Sequence, residues 1–411
     1  MGEHERKSAG LHPNSGSPII GGWGDSSLIN SANSMHQLVP QLLIGIQLGS
    51  IYALIALGYT MVYGVLKLIN FAHGDVYMVG AYAGLSAAGV LGTWLPAHGP
   101  FHSLLPSPGG ALLVLVSAML LCALLGLVIE QAAYRPLRTR SWIIPGIVIG
   151  GASGYVAYGI ATNDNRTPAS AIAIGVVVWA AIAALLRTTQ KRRTVGTPSR
   201  LTALITAIGV SLFLENFGIL PQIFSSDQRF IQTGQIVTLP NSVHFLGITL
   251  SVQTLLIFGL SLMLMALLTY IVTYTRIGKA VRAVSFDADA AALMGINTNT
   301  VIAFTFALGA ALAGAAGVMV TGLSGTAFTP YVGVLIGLKA FVAAVLGGIG
   351  NIPGAVVGGL IMGLAETLVV AYGPGVGIPS TYRDAVAFFL LIVILLVRPA
   401  GLFGRLAPEK V

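Results

Sequence analysis

Charge is what this sequence has least of. Asp, Glu, Lys and Arg make up 8% of its 411 residues, against roughly 25% in soluble globular domains. So little charge cannot cover a surface facing water, which excludes a soluble globular protein. Cysteine is nearly absent too. The single one, Cys122, lies in an apolar run, so there is no disulfide framework and it reads as a small core residue. Nucleotide-binding loops are missing. Gly278-Lys279 lacks both the upstream glycine and the following hydroxyl of G-x-x-x-x-G-K-[ST]. The run GGIGNIPG at 347–354 lies between apolar segments and misses the dinucleotide spacing. No catalytic constellation and no cluster with metal-ligand spacing is present, so no catalytic residue, metal or cofactor is expected in this chain. Residues 1–37 are polar and rich in Gly, Ser and Asn without an apolar h-region; a disordered tail is expected, not a cleavable signal peptide.

What is abundant points to lipid. The hydrophobic set reaches 55%, glycine counts 52 residues, and the mean hydropathy is +0.87. Glycine at this level suits close-packed transmembrane helices. The expectation is an all-α integral membrane protein, a polytopic helical bundle of about nine to eleven spans with at least one broken helix. Candidate spans are 38–64, 65–92, 111–131, 142–161, 169–186, 201–221, 248–273, 301–322, 333–349, 354–372 and 384–397. Cations cluster at Arg135–Arg140, Arg187–Arg200, Arg276–Arg282 and Arg398–Lys410, and the positive-inside rule makes those ends cytoplasmic, the C-terminus included. The same rule leaves the N-terminus and the loops 93–110 and 222–246 outside. The net charge of +8 then reflects orientation and anionic lipid, not nucleic acid.

Within these spans a few polar groups stand out. Gly64–Gly84 carries Asn70, His73, Gly74 and Asp75 in otherwise apolar surroundings. Ionisable groups at such depth face protein or water. Asp is a good N-cap, so a half-helix starting at Asp75 is expected after a break. The residues either flank a translocation path or form a structural break. Glu215, Asn216, Lys339 and Glu366 also lie inside apolar runs. A Lys339–carboxylate pair is expected, with a proton relay as the alternative, while Glu130 near Arg135 is expected at the interface. Leu68–Gly84 and Leu346–Gly363 share a polar, glycine-containing break followed by small residues four apart, Gly80/Gly84 and Gly359/Gly363. That likeness suggests a repeat. The charged loop 274–300 predicts a surface helix from Asp287 to Met294 that ends at Gly295. It is either a docking element for a soluble partner or a solvated loop.

Three stretches carry a resemblance. LGSIYALIALGYTMVYG with INFAHGDVYMVGAYAG, GKAVRAVSFDADAAALMGINT, and LKAFVAAVLGGIGNIPGAVVGGLIMGLAE resemble the membrane subunit of ATP-binding-cassette importers for branched-chain amino acids, closest to the LivH type. The resemblance covers about 38–140 and 200–411. Asp289-Ala290-Ala291 and Gly295 look like the EAA-x-x-x-G coupling motif of such permeases, with Asp for Glu. The I-x-L-P remainder is absent, Thr305 standing where its Ile would fall. A departure is 141–199, an extra basic-flanked hairpin between segments that nearly adjoin in the family. Two added spans preserve the orientation of everything downstream, and a peripheral, lipid-facing hairpin is expected.

The resemblance implies a permease domain over 38–411 in a bacterial inner membrane, with a cytoplasmic coupling loop at 274–300 (Asp287, Asp289, Ala290, Ala291 and Gly295). It implies as partners a second related permease subunit or a second copy, two cytoplasmic ATPases and a soluble binding protein. The implied function is import of branched-chain or related amino acids by alternating access. Alternatives are an importer for urea, short amides or other amino acids, a proton-coupled secondary transporter working through His73, Asp75, Glu215 or Glu366, and a channel or scaffold.

Overall fold

The computed structural model describes residues 26–94, 108–138, 177, 200–218, 242–245, 248–323, 329 and 331–404. Hydrocarbon offers no hydrogen bonds, so apolar runs of about 20 residues satisfy their backbone internally as helices. They are α1 (Ser26–Leu66), α2 (His73–Trp94), α3 (Pro108–Ile129), α4 (Arg200–Gly218), α5 (Val252–Tyr274), α6 (Arg276–Phe286), α7 (Ala288–Leu293), α8 (Thr298–Val318), α9 (Val332–Gly347), α10 (Ile352–Tyr372) and α11 (Arg383–Val397). Among the described residues, six helical regions are long and apolar enough to cross a membrane, namely those of α1, α3, α5, α8, α10 and α11. Leu201–Asn216 of α4 and Val332–Gly347, which is α9, are shorter apolar helices.

Several boundaries differ from expectation. α1 opens at Ser26, inside the stretch drawn as a polar tail, and continues through Pro40. The second helix starts at His73, not near 65, because the chain turns through 67–72 first. α3 runs on past Ile129 through a π-turn, Glu130–Tyr134, into a final turn, Arg135–Arg138. An antiparallel β-hairpin, β1 (Ser242–Phe245) and β2 (Ile248–Ser251), precedes α5. Ladder pairing there replaces the start of the span drawn from 248. The inserted pair 142–161 and 169–186 lies outside the described residues, apart from residue 177.

Glycine decides which helices touch. α1 lies against α10, where a Cβ on Gly49 would sit 2.7 Å from the Leu360 Cα and one on Gly359 2.6 Å from the Ala53 Cα. α2 lies against α8, where a Cβ on Gly80 would meet the Gly314 Cα at 2.5 Å. On its far side α8 takes α3, with Gly126 against Ala310 and Gly314 against Cys122. Lipid tails are as apolar as leucine, so helix association relies on such close approach. α8 is therefore central, its apolar stretch mostly buried where that of α11 is mostly exposed. One face of α3, including Leu113, Leu120 and Leu124, is exposed to the surroundings.

The second expected break, within Leu346–Gly363, is a tight turn at 348–351. Gly348 and Gly350 take positive φ, 105° and 93°. The Asn351 side chain accepts from the Gly354 amide at 3.1 Å, and α9 and α10 fold back on each other with Gly347 beside Gly354.

Gly359→Ala is expected to cost about 1–3 kcal/mol by overpacking the α1–α10 seam. Gly259→Ala on α5, where nothing lies within 4 Å of the added carbon, is expected to be neutral. Thermal melts of the two detergent-solubilised variants check the contrast.

Candidate functional site

The polar residues separate into two clusters joined by α9. The first surrounds the start of α2. The His73 amide donates to the Asn70 carbonyl at 3.1 Å and the Val76 amide to that of Ala72 at 3.2 Å, so a turn runs straight into the helix. α2 thus opens two residues before Asp75, which sits in its first turn. Asp75 is not the N-cap that the sequence predicts, and its carboxylate is engaged elsewhere. Ser211 on α4 donates to its Oδ2. Its Oδ1 faces the start of α9, where a Cβ on Gly333 would lie 2.6 Å from it. Two helix N-termini, each with partial positive charge, therefore converge on one buried carboxylate.

Its neighbours are buried as well. Tyr134, from the π-turn after α3, donates its hydroxyl to Asn70 Oδ1 at 2.9 Å. The His73 ring lies edge-on to Tyr59 with centroids 4.8 Å apart, beside Gly58 of α1. Gly74 lets α9 approach, a Cβ there meeting the Gly337 Cα at 2.7 Å. Glu215 is buried one turn after Ser211, whereas Asn216 faces outward and donates to the Leu212 carbonyl at 2.7 Å. Asp75 Oδ1, His73 Nε2 and Glu215 Oε1 have no hydrogen-bond partner among the described residues.

The second cluster is closed. Lys339 Nζ lies 2.9 Å from Glu366 Oε1 and 2.6 Å from Asp384 Oδ1. Tyr52 donates its hydroxyl to Glu366 Oε2 at 3.0 Å, and the ammonium stands 5.9 Å from the centre of its ring, within cation–π range. The expected Lys339–carboxylate pair is present with two carboxylates, Glu366 and Asp384, and it ties α1, α9, α10 and α11 together. Glu130 is fully buried in the protein and pairs with Arg138 across the π-turn.

The 274–300 segment folds as an elbow. Asp287 ends α6, its amide donating to Ala283 at 3.0 Å. It also caps α7, its Oδ1 accepting from the amides of Asp289 at 3.0 Å and Ala290 at 2.9 Å. Gly295 takes φ 84°. Its amide bonds to Ala292 and that of Ile296 to Ala291, each at 3.0 Å, which is a Schellman ending. Asp289 and Ala290 are exposed while Ala291 is buried. Sequence reading missed the elbow's apolar tips, Phe286, Leu293 and Met294, exposed at 95%, 90% and 83%. Three large apolar residues in a charged loop were the available signal. It also missed Tyr52, Tyr134, Ser211 and Asp384.

Comparison with known proteins decides the family. A family described as "Branched-chain amino acid transport system / permease component" matches residues 41–395. The chain belongs to that family. It is 37% identical over 379 residues to the high-affinity branched-chain amino acid transport system permease protein LivH of Escherichia coli (strain K12), covering 90% of this chain and 97% of that one. It is 37% identical over 380 residues to the permease protein BraD of Pseudomonas aeruginosa, covering 92% and 99%. A probable LivH of Methanocaldococcus jannaschii is 31% identical over 192 residues, covering 45% and 57%. The permease is thus a multi-pass helical membrane protein and a transport subunit.

Lys339→Met leaves the Glu366 carboxylate buried without its cation and is expected to cost about 3–5 kcal/mol. Adding Glu366→Gln removes the stranded charge and is expected to recover part of that loss. Melts of both variants test this, and strictly additive losses would show that the two residues do not interact.

Proposed function

We propose that the permease is the membrane-spanning subunit of an ATP-driven importer for branched-chain amino acids, moving substrate delivered by a soluble binding protein through alternating access. Its partners are a related permease subunit or a second copy, and two ATPase chains. It resides in a bacterial inner membrane with its C-terminus in the cytoplasm. The relatives' names support the substrate class.

The observation that carries the reading is the elbow. Two short helices, locked at Asp287 and Gly295, hold Phe286, Leu293 and Met294 out at one tip of a protein otherwise built for lipid. Exposed apolar residues rimmed by charge mark a protein-binding surface. Asp287, Asp289, Ala290, Ala291 and Gly295 shape that surface. An ATPase gripping it gains a lever on α5 and α8, the helices on either side. The break at 67–72, with Asn70, His73, Gly74, Asp75 and Glu215, is the part of the translocation path that this lever opens. Lys339 and Glu366 brace it from the closed cluster. No observation favours a urea or short-amide importer, a proton-coupled transporter, or a channel or scaffold.

Phe286→Asp alters a side chain that touches almost nothing in this chain, so insertion and thermal stability are expected to be unchanged. Co-purification of the ATPases and substrate-stimulated ATP hydrolysis are expected to fall at least tenfold. Asp287→Ala, which removes a cap worth about 0.5–2 kcal/mol, is expected to lower transport per ATP hydrolysed. A Phe286→Asp complex that assembles and transports normally would place the docking surface elsewhere.

A further inference from the structure

One hydrogen bond joins the elbow to the break in α1. Ser285 Oγ, in the last turn of α6, donates to the Gly64 carbonyl at 2.7 Å, across 221 residues of sequence. In an uninterrupted helix that carbonyl would take the amide four residues on. α1 instead ends at Leu66, and Lys67, whose amide makes the last bond back to Tyr63 at 2.8 Å, takes φ 55°. It is the one residue other than glycine with positive φ among the described residues. The left-handed turn carries the Leu68 amide away and leaves Gly64 in want of a donor. Ser285 supplies it, so this bond exists because the helix breaks.

On its other side α6 is fixed to α5. The Arg282 guanidinium donates to the carbonyls of Val272 and Thr273. Thr275 caps α6 by accepting from the Gly278 amide at 3.0 Å, and Val281 and Val284 are buried. Beyond Lys67 the chain is held by Asn70 and Tyr134, then enters α2 and its polar cluster. A stiff path therefore runs from the elbow through Ser285 and Gly64 to the break.

Building on the permease reading above, we propose that Ser285 is a positioning residue that makes the elbow and the end of α1 move as one body, delivering displacement of the elbow to the Lys67–Ala72 break. The test uses the complete complex with its ATPases and binding protein, reconstituted in liposomes. Ser285→Ala is expected to assemble normally and hydrolyse ATP, yet move several-fold less substrate per ATP; Ser285→Thr is expected to restore the ratio.

A cysteine pair gives an arm independent of folding yield. A Cβ on Gly64 would have only Ser285 Oγ within 4 Å, at 3.8 Å, so G64C/S285C places two thiols within disulfide reach. The native Cys122 is buried. Oxidised, the pair is expected to couple near the wild-type ratio; reduced, it is expected to behave like Ser285→Ala. An oxidised pair that hydrolyses ATP without transport shows that the elements separate during the cycle, and overturns the proposal. So does a Ser285→Ala complex with the wild-type ratio. If wild-type liposomes show no ATP-dependent uptake, the permease reading fails and this proposal with it. If they do, and Phe286→Asp sheds the ATPase while Ser285→Ala is silent, only the role of Ser285 fails.

Discussion

A helix interrupted inside a membrane leaves backbone groups that lipid cannot satisfy, and the rest of this fold is arranged around meeting that need. Among the described residues the permease has two such interruptions, and each is served by a segment distant in sequence. Around 67–72, Ser285 on α6 donates to the Gly64 carbonyl and Tyr134 after α3 donates to the Asn70 side chain. At 348–351 they come from the segment after α11. The amides of Leu402 and Phe403 donate to the Leu346 and Gly347 carbonyls at 2.9 and 3.0 Å, and Asn351 Nδ2 donates to the Phe403 carbonyl at 2.9 Å. Each break is thus a junction where remote parts of the chain meet.

Close packing makes the junctions reachable. α8 lies against α2 and α3 at glycine contacts that leave no room for a methyl group, and against α1 where a Cβ on Gly309 would sit tightly at 3.3 Å from Gly58. Motion in so dense a bundle occurs as displacement of whole helices, because packed interfaces switch between arrangements instead of deforming continuously. The breaks are where such a displacement can be absorbed, since their hydrogen bonds come from partners that can be carried along.

Much of this was legible in the sequence. Length and spacing of apolar runs located the six long apolar helices among the described residues, and Asp287 and Gly295 announced both ends of the surface helix by cap chemistry that acts within one turn. The seam glycines Gly80, Gly84, Gly359 and Gly363 were visible as spacing, and each turned out to abut another helix. What escaped is non-local. Asp75 looked like a cap because the turn at Asn70–Ala72 that starts α2 early leaves no strong signature. Its true partner, Ser211, lies 136 residues away. Asp384 was invisible as a Lys339 partner for the same reason, and the Glu130–Arg138 pair was hidden because a π-turn shifts register in a way that apolar periodicity does not show.

The two polar clusters also differ in kind. Lys339 faces two carboxylates, one of them supported by Tyr52, so each buried charge there has an opposite charge at contact distance. A charge so placed holds α11 to the bundle, and moving it would cost the whole network. Asp75 has only a hydroxyl and two helix ends for company, and Glu215 and His73 keep unpaired atoms nearby. A group whose needs are only half met can change partners cheaply. Because Gly337 touches Gly74 and lies two residues before Lys339, α9 links the rigid cluster to the unsatisfied one.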